Sequence, residues 1–186
     1  MAEFAPGEVG TGPGYEAERP VTRARLASAA PHRRLDLGGD LVLVFETRET
    51  VRAALQERLR ADRVTDPERV AGESAAFAHL LGGSHELAAT LYLDLSDAVA
   101  LADRVADLSP IARAVSLEVG SSSVPAQCDD DDGSGACHLR FRLGSEQRAA
   151  VLDGAPVTVT IAHPTVRATA ALSAAQVTAI AADLRG

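Results

Sequence analysis

Six short segments with the hydrophobic pattern of β-strands constrain the fold of this chain more than any other feature. The first, LVLVFE, is a continuous apolar run, which is typical of a strand covered on both faces. The other five alternate between apolar and polar residues: LAATLYLDL, ARAVSLEV, HLRFRL, PVTVTIA and TVRATAAL. Alternating strands are half-exposed, which suits a mixed or largely antiparallel sheet with helices packed mainly on one face. The sequence therefore predicts an α+β fold.

Capping signals predict where helices begin between these strands. Thr47 can cap a helix that follows LVLVFE, and Asp66 with Pro67 can open the next one. Three further helices are predicted, at 97–107, 145–152 and 173–184. The last has Ser173 and Gln176 at the spacing of a capping box, in which each residue satisfies a backbone amide of the other.

The N-terminal end has a different composition from the rest. Residues 1–14 are rich in Gly and Pro without periodicity, and we expect a mobile tail. The segment that follows predicts at most a short helix, broken near Pro20 and Pro31. The remaining length, 15–186, suits a single α+β domain.

Charge and composition exclude two classes of partner. The 186 residues carry a formal net charge of -8, whereas nucleic acid and anionic membranes require a dense basic face. Aromatic residues make up only 3%, so no platform for stacking bases is available. No apolar run approaches the roughly 20 residues that cross a bilayer, and the first residues lack a secretory signal. We therefore expect a cytoplasmic protein that binds neither nucleic acid nor membrane.

A polar helix face is the first candidate site. The helix after LVLVFE buries an apolar stripe that includes Val51 and Leu55. Its polar candidates, with one residue from a later strand, are Glu46, Arg48, Glu49, Gln56, Glu57 and Glu86. Two carboxylates three residues apart, Glu46 and Glu49, can bind a cation or share a proton. The same spacing equally produces Glu–Arg pairs that only cover a helix surface and contribute a few tenths of a kcal/mol each.

The segment CDDDDGSGACH is the second candidate site. Cys128, Cys137 and His138, together with four Asp, can hold a soft divalent metal, although their spacing fits no standard zinc knuckle. The same composition is typical of an exposed hairpin loop. Cys137 is in phase with Leu139, so we expect it to point into the core and His138 to face the other way. In a cytoplasmic protein the two thiols are not expected to form a permanent disulfide.

Standard catalytic motifs are missing from the sequence. It contains no GxxxxGK[ST] phosphate loop, no GxGxxG between a strand and a helix, and no GxSxG nucleophile elbow. The five His are scattered without an HExxH pattern. The sequence therefore assigns neither a reaction nor a cofactor.

The segment FETRETVRAALQE resembles the signature of a bacterial family known as the domain of unknown function 3501. In that family a strand ends in Phe-Glu, Asn/Ser-Arg-Glu-Thr-Val follows, and Gln-Glu comes one helical stretch later. The matching residues here are Phe45, Glu46, Arg48, Glu49, Thr50, Val51, Gln56 and Glu57. Thr47 departs from the pattern at its variable position.

Two further blocks extend this likeness over most of residues 32–184. ELAATLYLDL, which contains Glu86, is similar to Glu-Leu-Ser-Ala-Thr-Leu of the family. GAPVTVTIAHPTVRATAAL is similar to a Val-rich strand with His-Pro and Arg, and contains His163. The loop with the two cysteines does not belong to the pattern. Family members are often associated with rubrerythrin-like and iron–sulfur partners, which implies a redox setting.

Two functions from different classes fit these observations. In the first, the chain is an accessory or ligand-binding protein of a bacterial redox or biosynthetic pathway, acting through the Glu/Arg/Gln face. In the second, it is a small metal-dependent or acid/base enzyme in which Glu46 and Glu49 are general bases or metal ligands. Arg48 would then hold an anionic substrate, and Glu86 or His163 would complete the site.

Overall fold

The structure, a computed structural model, describes residues 3–94, 98–108, 110–128 and 136–185. They fall into two compact units. The helical unit consists of Met1–Pro31 and Glu46–Gly83, and the sheet unit consists of His32–Phe45 and Ser84–Gly186. The prediction of one domain over residues 15–186 stays a prediction. None of the helices described is long and apolar enough to cross a membrane.

Three α-helices are described in the helical unit: α1 spans Gly12–Ala29, α2 spans Arg48–Ala61 and α3 spans Pro67–Phe77. The two predicted caps are confirmed. Thr47 Oγ1 accepts a hydrogen bond from the Thr50 amide at 3.1 Å, and Asp66 Oδ2 accepts one from the Arg69 amide at 3.0 Å. One apolar cluster of this unit consists of Leu55, Leu59 and Val64, with Phe4, Val9, Val70 and Phe77 packed against it.

Helix α1 is longer than the short, broken helix that the sequence predicts. It continues through Pro20, although a proline removes one helical hydrogen bond and crowds the carbonyl four residues earlier. Tyr15 and Thr22, on either side of Pro20, are both buried and hold the helix within the unit. Helix α1 begins at Gly12, so the last residues of the predicted tail are helical. The mobility expected for residues 1–14 stays a prediction.

The sheet unit contains one antiparallel sheet of eight described strands in the order β1-β2-β3-β6-β5-β4-β7-β8. The strands are β1 Arg34–Asp36, β2 Leu41–Phe45, β3 Glu86–Leu93, β4 Val115–Val119, β5 Ser122–Cys128, β6 Ala136–Arg142, β7 Val157–Ala162 and β8 Arg167–Ala171. Its described helices are α4 Ala98–Leu108, α5 Ser145–Leu152 and α6 Ala174–Asp183. The predicted α+β fold with a largely antiparallel sheet is confirmed.

One face of the sheet and the helices of this unit share a single apolar core. Its strand residues include Leu43, Leu91, Leu117, Phe141 and Val159, and its helix residues include Leu108, Val151, Val177 and Ile180. Because strand residues two apart point to the same side, these strand residues mark one face of the sheet. The helices of the sheet unit therefore pack on one face, as predicted.

Two strands, β1 and β5, are missing from the predicted set. Strand β1 has a single inward residue, Leu35, and joins β2 through Gly38 and Gly39, whose φ angles are 83° and 60°. Strand β5 contains Pro125, which has no amide hydrogen to donate to a neighbouring strand. The sheet accommodates it because β5 pairs with β4 up to Pro125 and with β6 from Ala126 onward. The neighbour changes where the proline lies.

Replacing Ser173 with Ala tests the predicted cap of α6. Ser173 Oγ accepts a hydrogen bond from the Gln176 amide, and Gln176 Oε1 accepts one from the Ser173 amide at 2.8 Å. We expect Ser173→Ala to lower the free energy of unfolding by about 1 kcal/mol, measured by urea denaturation. Ser145→Ala is the matched control, because Ser145 is the first residue of α5 and its N-cap is Gly144. An equal loss in the free energy of unfolding in both variants would contradict the assignment of Ser173 as the N-cap of α6.

Candidate functional site

Arg48, in the first turn of α2, is bonded to the N-terminal segment. Its Nε donates to Glu8 Oε1 at 2.7 Å and its Nη2 donates to Glu8 Oε2 at 2.6 Å, which makes a bidentate ion pair. Nη2 also donates to the Glu3 carbonyl at 2.5 Å, and the guanidinium lies 5.2 Å from the centre of the Phe4 ring. The hydrogen bond from Arg48 lowers the pKa of Glu8. Arg48 is therefore engaged with residues 3–8 of its own chain.

Glu57 lies at the centre of a second cluster, between α1 and α2. Its carboxylate accepts hydrogen bonds from Arg19 Nε at 2.6 Å, Arg19 Nη2 at 3.1 Å and the Tyr15 hydroxyl at 2.7 Å. The hydrogen bond from Arg19, helped by the one from Tyr15, lowers the pKa of Glu57 to about 2. Burial and the bond to Glu57 raise the pKa of Tyr15 to about 12. At neutral pH Glu57 is an ionised and weakly basic group.

The other predicted residues of α2 and its N-terminal junction have separate partners. Glu46 Oε2 accepts a hydrogen bond from the Thr50 hydroxyl at 2.5 Å. Glu49 pairs with Arg25 of α1. Gln56 is buried and donates its Nε2 to the Gly10 carbonyl at 3.2 Å. Its partner is again a backbone group of the N-terminal segment.

Glu86 and His163, the two residues proposed to complete an enzyme site, belong to the sheet unit. Glu86 is the first residue of β3 and accepts a hydrogen bond from Arg142 Nε at 2.8 Å. His163 is buried, and its Nδ1 lies 2.9 Å from the Thr165 hydroxyl. Each has a local partner in its own unit.

The three metal-ligand candidates Cys128, Cys137 and His138 are divided between two faces of the sheet. Cys137 points into the core and is 6% exposed, as its strand phase predicts, and Cys128 Sγ lies 2.9 Å from Cys137 Sγ. His138 faces the other way, with its Nδ1 3.1 Å from the Thr90 hydroxyl. The four Asp of this candidate, at 129–132, lie outside the described residues. Among the residues that are described, no three His, Cys, Asp or Glu side chains form a metal-binding group.

A groove of about 340 Å³ lies between α1 and α2 and contains part of the predicted polar face. It is lined by Tyr15, Arg19, Thr22, Arg23, Leu26, Thr50, Ala53, Ala54 and Glu57. Arg23 is exposed, and no carboxylate pairs with it in the described part of the chain. Arg19 donates to Glu57 through Nε and Nη2, which leaves Nη1 uncommitted among those same residues. The groove therefore presents positive charge beside an apolar floor.

The residues that α1 contributes to this groove are missing from the predicted site. Pro20 and Pro31 predict a short, broken helix in this segment, and none of its residues is among the predicted candidates. A signal was nevertheless present in the spacing of Tyr15, Arg19, Thr22 and Leu26, which recur four, three and four residues apart. That spacing places all four on one face of a continuous helix.

These contacts favour binding over proton transfer. A general base works best with a pKa near the working pH, whereas the pKa of Glu57 is held at about 2. Glu46 accepts a hydrogen bond from the Thr50 hydroxyl, and Glu49 forms an ion pair with Arg25. The polar face therefore has a structural role, which we call the lock: its residues bond α2 to α1 and to the N-terminal segment, residues 3–10.

Replacing Arg48 with Gln should release the N-terminal segment. The variant loses the ion pair to Glu8, so we expect amide hydrogens of residues 4–10 to exchange about tenfold faster than in the wild type, measured by mass spectrometry. Arg60→Gln is the control, because Arg60 pairs with Glu16 of α1 instead. Unchanged exchange in Arg48→Gln would contradict the proposed role of the ion pair.

Stability should depend on pH through Glu57. Its folded-state pKa of about 2 lies below the ordinary 4.5, so its contribution is present above pH 4.5 and is lost as the pH falls toward 2. We expect the wild type to lose more stability over this range than Glu57→Gln in urea titrations at each pH. Glu16→Gln, which also removes a paired carboxylate, should behave like the wild type. If the free energy of unfolding falls with pH equally in the wild type and in Glu57→Gln, Glu57 is not the source of the pH dependence.

A family model described as "Protein of unknown function (DUF3501)" matches residues 8–184. A comparison with curated proteins finds no match. Among solved structures, a novel protein of unknown function from Burkholderia pseudomallei is similar to this chain. The two are 25% identical with a TM-score of 0.90, over 97% of this chain and 98% of that one. The resemblance predicted from FETRETVRAALQE is confirmed, and the chain belongs to the DUF3501 family.

Proposed function

We propose that this chain is a non-catalytic accessory protein of a bacterial redox or biosynthetic pathway, and that it acts through its polar face by binding a small acidic ligand. The observation that carries the proposal is the groove between α1 and α2. Its volume of about 340 Å³ is at the lower end of the range found for small-molecule sites. Such a site accommodates a compact organic acid.

The charges around the groove favour an anion. Arg23 and the uncommitted Nη1 of Arg19 supply positive charge at its edge, and guanidinium groups bind carboxylates and phosphates in fixed geometry. Glu57 offsets the charge of Arg19 and holds its guanidinium in place through two hydrogen bonds, so the net positive charge of the groove is that of Arg23, and Arg19 offers Nη1 as a donor. Leu26 and Ala53 provide apolar contacts for the rest of the ligand.

The pathway rests on the family resemblance alone. Because members of the family are often associated with rubrerythrin-like and iron–sulfur proteins, we propose a protein of that kind as the macromolecular partner, in the cytoplasm. Docking through ion pairs of the polar face weakens as salt rises, since screening acts within about 8–10 Å at physiological ionic strength.

The alternative, a small enzyme that uses Glu46 and Glu49 as metal ligands or general bases, has less support. Glu46 accepts the Thr50 hydroxyl and Glu49 is paired with Arg25. Either role requires the chain to give up one of these contacts before a metal or a substrate could bind.

Ligand titration tests the proposal directly. Succinate and inorganic phosphate are added to the full chain at millimolar concentrations, and amide chemical shifts are followed by NMR. We expect shifts confined to residues that line the groove, and a reduction of affinity by roughly tenfold in Arg23→Gln, since one charged hydrogen bond is lost. Arg69→Gln removes an exposed charge on α3 and should bind as the wild type does. The proposal fails if neither anion shifts these residues, or if Arg23→Gln binds unchanged.

A further inference from the structure

The two cysteines of the chain lie side by side on neighbouring strands. Cys128 is the last residue of β5 and Cys137 is the second residue of β6, and their Sγ atoms are 2.9 Å apart. Cys128 is opposite Leu139 in the register, so Cys137 is its diagonal neighbour on the same face of the sheet. Pairing of the strands, and not only proximity in the sequence, brings the two sulfurs together.

The distance is close to that of a covalent bond without being one. A disulfide has an S–S length of about 2.05 Å, so the sulfurs need to approach by a further ~0.9 Å. Both cysteines lie at the end of the β5–β6 pair where β5 ends and β6 begins, and the segment 129–135 between them lies outside the described residues. A small rotation of the two side chains at a strand end is enough for this approach.

The two sulfurs differ in their access to solvent. Cys137 is buried in the core, whereas Cys128 is half-buried at the end of its strand. Thiol chemistry follows accessibility as well as the fraction of thiolate. Cys128 is therefore the sulfur that a reagent in solution reaches first, and Cys137 is in position to attack it afterwards.

We propose that Cys128 and Cys137 form a reversible dithiol–disulfide pair that is oxidised by exchange with a small-molecule disulfide such as oxidised glutathione. This inference concerns the sheet unit and does not depend on the proposed function of the groove. It extends the expectation of reduced thiols, because a reversible pair is reduced in a reducing cytoplasm and closes only when the balance of disulfides rises.

The exchange proceeds in two balanced steps. The Cys128 thiolate attacks one sulfur of the small disulfide, which forms a mixed disulfide and releases one small thiolate. The Cys137 thiolate then attacks Cys128 Sγ, which forms the internal disulfide and releases the second thiolate. The two protons lost by the cysteines are taken up by the two released thiolates. The protein is oxidised by two electrons and the small disulfide is reduced by two.

Closure of the pair should stabilise the sheet unit. The disulfide joins β5 to β6 between residues that are 9 apart in sequence, so it removes conformational freedom mainly from the unfolded chain. For a loop of about ten residues in a chain of this size, we expect the midpoint of thermal unfolding to rise by about 5–10 °C. Reduction with dithiothreitol should reverse the rise.

Intact-mass measurement of the full chain tests the proposal. The fully reduced protein is incubated with oxidised glutathione, the remaining thiols are alkylated with iodoacetamide, and the intact mass is measured by mass spectrometry. We expect the wild type to lose two hydrogen atoms and to accept no alkyl group, and dithiothreitol to restore two alkylation sites. The controls Cys128→Ala and Cys137→Ala should each show one glutathione adduct or one alkyl group and no internal disulfide.

Three results would overturn the proposal. These are a wild type that keeps two alkylatable thiols, a wild type that accumulates a stable glutathione adduct, and disulfide-linked dimers. Cys137 is buried, so its variant can fail to fold, and the second measurement, of the thermal midpoint, is therefore made on Cys128→Ala. Its thermal midpoint should not respond to oxidised glutathione, whereas that of the wild type should rise. An equal response of both proteins contradicts the internal disulfide.

Discussion

The ion pair between Arg19 and Glu57 is the interaction on which the packing of α1 against α2 depends. The apolar cluster formed by Leu55, Leu59 and Val64 in this unit is small, so polar contacts add to the apolar burial that joins α1 and α2. Glu57 supplies such contacts by accepting three hydrogen bonds from α1, two from Arg19 and one from Tyr15. Charge-assisted bonds of this kind are stronger than neutral ones. They also form one wall of the groove to which we assign the ligand.

The same contacts give several residues of the polar face a structural role. The signature residues Arg48, Gln56 and Glu57 each bond to the N-terminal segment or to α1. A residue used in this way is required for the unit to assemble. We propose that the ligand binds beside these contacts, near Arg23 and Nη1 of Arg19.

Much of the fold, and less of the site, could be predicted from the sequence. Alternating strands and helix caps such as Thr47 and Ser173 are local signals, and the structure confirms them. Strand β5 was missed and helix α1 was predicted as a short, broken helix, because Pro125 and Pro20 suggest breaks that only tertiary pairing makes acceptable. The partners of the polar face lie up to 46 residues away in sequence, and spacing on one helix does not reveal them.

Titration of Glu57 tests whether Arg19 and Tyr15 hold its carboxylate between α1 and α2. The carboxyl carbon of Glu57 can be followed by NMR from neutral pH into acid, with Glu57→Gln used to assign its signal. We expect the midpoint of this titration near pH 2, because hydrogen bonds from Arg19 and Tyr15 stabilise the ionised form of Glu57. A midpoint at the ordinary value of 4.5 would mean that the carboxylate is not held between α1 and α2, and both the lock and the wall of the groove would be contradicted.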